Sequence, residues 1–327
     1  MMSSKGNHNV ESLFETNTVV TDDNYNTVCA GDSWMAYVPC RMDKHKYNAS
    51  MADPYFMKYK GQTWGYYAPT EKIVRAIIAH EGTDSYRFKA WFWTYEQNQA
   101  MGLDPFENYK GDGAQEKLDA LGTNPGKDFH SGAGAYFSCE NAGIWNRKLM
   151  IPAEDMVHDS FQRDRANRRY MRYAEVLLLY AEACAQLGET GGEGLDALNQ
   201  VAARAGAPTY TTLSMADVKQ EKWFEMWMEG CRFVDLVRWG DASTELANHW
   251  KTVPVFYGYK FENGAYKSAA DIDADGKNLF DVYDVRQLDL EALTGNTFGF
   301  RTNQDELLPF PATELANNPN LKQNPGW

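Results

Sequence analysis

The sequence predicts a mainly α-helical chain. Its helices pair through tight turns beside an irregular, loop-rich region with short strands. Three observations carry this. Apolar residues recur at helical spacing after about residue 165. Two such stripes are joined by a Gly-rich turn and closed by Gly and Pro. The N-terminal stretch instead shows Gly, Asn, Asp and Pro punctuation with no sustained period.

Taken in order, residues 1–70 read as loops and short strands, with aromatics in bursts: DSWMAYVP, ADPYFMKY and QTWGYY. APTEKIVRAIIAHEG then predicts a helix. Ile73 with Ile77 and Val74 with Ile78 fall at i, i+4, Thr70 is its N-cap and Gly82 its stop. YRFKAWFWTYEQ predicts a strand near Phe88–Tyr95, with Trp91 and Trp93 on one face as core. QEKLDAL reads as a short helix, and GAYFSCE and IWNRKLM as strands.

RRYMRYAEVLLLYAEACAQLG predicts a long amphipathic helix. Tyr173, Leu177, Ala181 and Cys184 recur on it, with Ala174, Leu178 and Ala185 beside them. ETGGEG is a turn. LDALNQVAARAG places Leu195, Leu198, Val201 and Ala205 on one stripe and stops at Gly206 before Pro208. Helix, turn, helix with small residues at the crossing, then Pro is the grammar of a tetratricopeptide repeat. A third helix opens at Ser214 with a Ser-x-x-Asp cap to Asp217 and runs to Glu229. The expected division is residues 1–165, a loop-rich ligand-binding region, and 166–327, a helical region with an irregular tail; the alternative is one integrated domain.

Bulk properties narrow the function. The chain has 327 residues, 43% of them hydrophobic, with a net charge of −13. So acidic a surface repels phosphate backbones, which argues against nucleic-acid binding. No apolar run reaches the length a membrane span needs, and the N-terminus MMSSKGNHNV carries no secretion signal. The five cysteines include no CxxC pair, and the six histidines no HExxH, so neither a disulfide framework nor a zinc site is indicated. Aromatics make up 14% of the chain, including 10 Trp and 19 Tyr. Such rings pack cores, and they also stack on the apolar faces of sugars.

The segment EKWFEMWMEGCRFVDLVRWG, residues 221–240, is the densest in charge and aromatics. Glu221, Glu225 and Glu229 precede Gly230; Arg232, Asp235 and Arg238 follow it. Gly230 can adopt φ > 0 and end the helix. Arg232–Asp235 and Asp235–Arg238 are i, i+3 neighbours. A glycosidase needs two carboxylates, but one must face an open cleft with a raised pKa. Here aromatics crowd the acids and arginines follow them. The expected role is structural: a partly buried ion network, formed by Glu229, Gly230, Arg232, Asp235 and Arg238, that fixes the angle between two packed segments.

Together with RYMRYAEVLLLYAEA and the ending ELLPFPATELANNPNLKQNPGW, this segment resembles the C-terminal half of SusD/RagB-type nutrient-binding lipoproteins of Bacteroidetes. The matching residues are Glu229, Gly230, Arg232, Phe233, Asp235, Leu236, Arg238, Trp239 and Gly240. In the tail they are Pro309, Pro311, Asn318 to Leu321, Gln323 to Gly326 and Trp327. GQTWGYYAPTEKIVRAI is similar to the family's segment before its mid-chain helix. The resemblance implies a SusD-like tetratricopeptide-type α-superhelix. It implies no catalysis, and capture of an oligosaccharide or other nutrient at the outer-membrane surface for a SusC-like TonB-dependent porin. The family's lipoprotein signal, anchoring cysteine and long N-terminal helical region are not legible here, so the chain is expected to be the C-terminal portion of such a protein.

The candidate ligand-binding residues are Trp34, Tyr37, Trp64, Tyr66 and Tyr67, which lie in Gly/Asp/Asn-rich loops. Trp145, beside Asn146 and Arg147, is a further platform candidate. ADIDADGKNLFD presents Asp271, Asp273, Asp275 and Gly276 in the pattern of the first half of a Ca²⁺ loop. Its twelfth position lacks the closing Glu, and a solvated acidic turn is the other reading. Two further functions stay open: a glycoside hydrolase domain, and a helical-repeat adaptor that binds protein.

Overall fold

The structure, a computed structural model, describes residues 4–17, 68–100, 142–149 and 167–327. Strand β1 is Ser12–Thr16. Helix α1, Glu71–Glu81, forms as its spacing predicts. Thr70 Oγ1 accepts from the Ile73 amide, and Ile73, Val74, Ile77 and Ile78 are buried. The predicted strand over Phe88–Tyr95 is different. Ser85 caps a helix α2, Tyr86–Trp91, and only Phe92–Thr94 is extended, as β2. Aromatic β propensity loses here to a local cap, since Ser85 Oγ accepts the Phe88 amide at 3.0 Å. Helix α3 is Tyr95–Ala100. Strand β3, Ile144–Asn146, pairs antiparallel with β2, setting Trp93 opposite Trp145. The QEKLDAL helix and GAYFSCE strand lie outside the described residues.

The long amphipathic helix begins later than its sequence pattern. Arg168–Arg172 is strand β4, antiparallel to β1, and helix α4 is Tyr173–Gln186. Pairing with β1 gives Arg168, Arg169, Met171 and Arg172 ladder partners in place of a further helical turn. Helices α5, Gly192–Arg204, and α6, Met215–Glu225, follow. α4 and α5 pack as a pair, and α6 packs on both, the predicted repeat with one helix added. α6 stops at Glu225, one turn short of expectation, because Met228 takes φ 63° and Gly230 φ 84°. Helices α7, Arg232–Trp239, and α8, Ala242–Glu245, come next. The remaining elements are β5 (Thr252–Tyr259), β6 (Phe261–Glu262), β7 (Ala265–Tyr266), α9 (Leu279–Val282), β8 (Tyr283–Asp289), α10 (Leu290–Thr294) and α11 (Ala312–Asn317). β5 pairs with β8 and β6 with β7. The described chain is thus mainly helical, with short two-stranded sheets.

Compactness divides the chain elsewhere than at 165/166. One unit comprises Met1–Glu229 and Pro254–Arg286, the other Gly230–Val253 and Gln287–Trp327. The β1–β4 ladder ties the two sides of the expected boundary together. In the first unit an aromatic core gathers Tyr95, Trp145, Phe256 and Tyr283. Their ring centroids lie 5.1 Å apart for Tyr95–Phe256 and for Phe256–Tyr283, and 6.1 Å for Trp145–Phe256. The Tyr283 hydroxyl donates to Glu96 at 2.7 Å, so its one polar group is satisfied in the core.

In the second unit the tail folds back on its own Pro-x-Pro segment. Gln323 bonds both backbone groups of Phe310, and Asn324 Nδ2 donates to the Leu308 carbonyl at 2.6 Å. Trp327 Nε1 reaches the Gln304 and Leu307 carbonyls, under the Arg301 guanidinium at 4.9 Å. Prolines cannot close a regular ladder here, so amide and indole side chains satisfy the segment instead.

Candidate functional site

The carboxylates of the 221–229 segment find their partners far away in sequence. Arg87, on α2, donates to Glu81, Glu221 and Glu225. Arg172, the last residue of β4, donates to Glu225 at 2.7 Å, to Glu11 at 2.9 Å and to Glu229 at 2.6 and 2.8 Å. Arg204, ending α5, reaches Glu11 and Glu225. Lys148 pairs with Glu229 at 2.5 Å and donates to the Glu225 carbonyl at 2.9 Å. The expected ion network therefore exists, but its cations come from α2, β4, α5 and the residues after β3. Beyond Gly230 the charges pair locally: Arg238 Nε meets Asp235 at 2.9 Å, and Arg232 lies 3.7 Å from Glu245. α6 places Glu221 and Glu225 one turn apart on its buried face, toward the cations.

Electrostatics separate these acids. Burial pushes the Glu225 carboxyl up, but Arg172, Arg204, Arg87 and Lys148 outweigh it and hold it at about 2. Glu229 is also lowered, burial being overcome by Lys148 and Arg172. Glu81 and Glu221 go the other way: burial raises both, and their shared Arg87 only partly offsets it. A buried acid with a raised pKa is a known signature of catalysis. Here both side chains are fully enclosed. A glycosidase acid must touch its substrate from an open cleft. This network links α2, β4, α5 and α6 within unit 1.

The cations Arg87, Arg172, Arg204 and Lys148 were not singled out from sequence. A signal was present for two of them: Arg87 and Arg172 each interrupt a run of large apolar residues (SYRFKAW, YMRYAEV). A charge so placed is buried only if paired.

Trp145 is not an open platform. It is 3% exposed, faces Trp93 across β2–β3 and meets Phe256 edge-on. Its neighbour Asn146 is buried, and the Arg147 guanidinium lies 5.1 Å over Trp93. Trp91 and Trp93 are buried, as expected of core residues. Trp34, Tyr37, Trp64, Tyr66 and Tyr67 lie outside the described residues.

The acidic loop is a capped turn, not a calcium cage. Asp271 accepts from the amide and hydroxyl of Ser268, closing a capping box. Asp275 pairs with Lys277 at 2.7 Å, and Asn278 bridges the Asp271 carbonyl and the Asp273 amide. Asp271, Asp273 and Asp275 thus do not converge. Among the described residues no group of three or more His, Cys, Asp or Glu is placed to hold a metal ion. No helix among them is long and apolar enough to cross a membrane.

A tetratricopeptide-type helix pair with a third helix, joined by an ion network, and a tail tied back by Gln, Asn and Trp are features of a helical-repeat protein. The SusD family pattern matches residues 11–327, and the chain belongs to that family. A curated relative, a SusD-like protein of Bacteroides ovatus, is 28% identical over 172 residues, covering 49% of this chain and 29% of its own length. Among solved structures, a laminarin-binding SusD-like protein superposes with a TM-score of 0.58 at 18% identity, covering 99% of this chain and 51% of its own. Surface glycan-binding protein A from Bacteroides thetaiotaomicron gives 0.55 at 20% identity, covering 98% and 53%. Its complex with laminarihexaose gives 0.53 at 19% identity, covering 96% and 52%. The fold is therefore SusD-like. The chain spans about half the length of these solved structures, and its 172-residue match covers less than a third of the curated relative.

Proposed function

We propose that this chain is the binding component of a SusC/SusD-type uptake system. It captures an oligosaccharide at the outer-membrane surface and passes it to a SusC-like TonB-dependent porin. The observation that carries this reading is the family match over residues 11–327. Similarity of fold to proteins named for glycan and laminarin binding supports it. The role is capture and not cleavage, a reading supported by the pairing of Glu221, Glu225 and Glu229 to buried cations. The ligand platform is assigned to Trp34, Tyr37, Trp64, Tyr66 and Tyr67, since a sugar ring wants a flat aromatic face ringed by a few polar groups.

Isothermal titration with laminarihexaose and a panel of other oligosaccharides tests this. Binding is expected, with no shortened products on chromatography; products would favour a hydrolase. Trp34→Ala and Trp64→Ala should each weaken binding by about 1–3 kcal/mol with an unchanged melt. Parent-like binding by both variants would move the site away from these residues. No binding by the parent across the panel would count against glycan capture by this chain and leave the adaptor reading. Co-purification with the porin after co-expression checks the partner.

A further inference from the structure

Arg87 is surrounded by more acid than it can balance. It donates to Glu81 at the end of α1 and to Glu221 and Glu225 on α6. Glu225 has Arg172 and Arg204 as further partners. Among the described residues, Glu81 and Glu221 pair with Arg87 alone. The side chains of both acids are 0% exposed and that of Arg87 is 1% exposed. Side chains already enclosed stay so whatever packs outside them. The rings of Trp91 and Phe224 lie 5.5 and 6.0 Å from the guanidinium. Two enclosed carboxylates thus share one positive charge, and an enclosed charge left unbalanced is strongly disfavoured. The other groups facing the cluster do not supply the missing charge. His80, on α1, stacks on Tyr210 at 5.6 Å. Its Nε2 is enclosed without a partner, and Gln220 Nε2 lies 3.5 Å from its Nδ1. An imidazolium would need an acceptor at both nitrogens. Burial and Arg87 lower the His80 pKa, and Asp217 opposes them. Tyr210 and Ser85 bring only uncharged hydroxyls. Lys148 and Arg172 are taken up by Glu225 and Glu229.

We propose that one proton is a resident part of this junction: Glu221 is ionised against Arg87 while Glu81 is held as the neutral acid. The hydrogen bonds choose between the two acids. Both Glu221 oxygens are served, one by Arg87 and the other by the Tyr210 hydroxyl at 3.0 Å. Glu81 gives one oxygen to Arg87, and its Oε2 is enclosed with no hydrogen-bond partner. A bare enclosed oxygen costs far less on a neutral acid than on an anion. Burial shifts both acids toward the neutral form and the Glu225 charge adds to it, as two seats for one proton require. The junction is then sensitive to pH. Glu81 ends α1, Arg87 sits on α2 and Glu221 on α6, so loss of the proton sets two like charges on one guanidinium where these helices are joined. In the unfolded chain a Glu carboxyl ionises at about 4.3. Above about pH 5 the folded chain therefore binds one proton more than the unfolded one. The contribution is complete below the unfolded value and is lost as pH rises through the folded one. The inference does not depend on the sugar platform of the capture reading.

Urea denaturation of the full chain across neutral pH tests this, comparing the parent with Glu81→Gln, whose amide keeps the shape and charge of the neutral acid. Relative to the variant, the parent's unfolding constant should rise ~10-fold per pH unit until the folded chain releases its proton. Glu81→Gln should fold and be at least as stable as the parent on the alkaline side. Infrared spectra of the parent at neutral pH should show a neutral-carboxyl C=O stretch. Glu81→Gln should lack that band, and Glu71→Gln, at an exposed pair, should keep it. A Glu81→Gln chain that does not fold, or that is less stable than the parent by an amount independent of pH, would overturn the proposal, because Glu81 would then be needed as an anion. Absence of the band from the parent would overturn it on the protein as it stands. A band removed by Glu221→Gln and kept by Glu81→Gln would overturn the assignment to Glu81.

Discussion

Glu225 shows what a buried acid does in this chain. It accepts from Arg172 and Arg87 on one face of α6 while Arg204 closes from the end of α5. Glu225→Ala leaves Arg87 and Arg172 enclosed with part of their counter-charge gone. We expect a loss of about 3–5 kcal/mol in urea denaturation. Glu225→Gln keeps the shape but not the charge and should fall close to the Ala value. The Glu71–Arg75 pair is the contrast. Its oxygen and nitrogen are 2.6 Å apart, but Arg75 is 45% exposed, and removing it should cost under about 0.5 kcal/mol. Close geometry alone does not set the cost; enclosure does. Trp145 obeys the same logic among apolar residues. Its ring fills space against Phe256, so Trp145→Ala should cost about 3–5 kcal/mol in the melt. A stable Trp145→Ala variant with lost sugar binding would return it to the ligand site.

Among the elements, the α4/α5 pair depends on one small residue. Gly194 sits in the first turn of α5, where a Cβ would lie 2.5 Å from Cys184 Cβ and 2.8 Å from Leu213 Cδ2. Gly194→Ala therefore forces the helices apart and should cost about 1–3 kcal/mol. Helix propensity alone argues the reverse sign, so thermal denaturation of this single variant decides between crossing and propensity. α6 depends on its start. Ser214 Oγ accepts the Asp217 amide at 3.2 Å and donates to the Asp217 carboxylate at 2.6 Å. Ser214→Ala should cost about 1 kcal/mol, and α6 carries Glu221 and Glu225 with it.

For the molecule as a whole, the network makes stability depend on pH with a workable sign. It joins segments around residues 11, 81–87, 148, 172, 204 and 221–229, all within one compact unit. Glu225 is held at about 2, below the ordinary Glu value of about 4.3. Its contribution is complete above the unfolded value and is lost as pH falls toward 2. Glu229 shifts in the same direction. Glu81 and Glu221 oppose them: their raised values favour the neutral acid in the fold, and their contribution is lost as pH rises through those values. The melting-temperature gap between parent and Glu225→Gln should thus be widest above about pH 5 and close as pH falls below about 4. A gap that does not change with pH would mean that shape, not charge, is what the variant lost.

Local patterns were enough to read α1 with its Thr70 cap, the α4/α5 pair, the Ser214 start of α6, the break at Gly230 and the resemblance carried by the tail. Each rests on residues within a few positions of one another, where spacing, capping and backbone freedom act directly. That the acids of 221–229 would enter a partly buried ion network was also legible, since aromatics crowd them. Their partners were not. Arg87 lies 134 residues from Glu221, and such a pairing depends on which elements the fold brings together. The same holds for Arg168–Arg172, which continues a helical pattern in sequence but becomes a strand because β1 offers it a ladder. Trp145 looked like a platform beside polar neighbours, and Asp271, Asp273 and Asp275 like a calcium loop. Tertiary packing put the first against Phe256, and local capping and ion pairing took up Asp271 and Asp275. By itself the sequence determined periods, caps and breaks, which are properties of neighbouring residues. Only the tertiary structure decided which side chains are enclosed and what meets them there, because burial and long-range pairing belong to the whole fold.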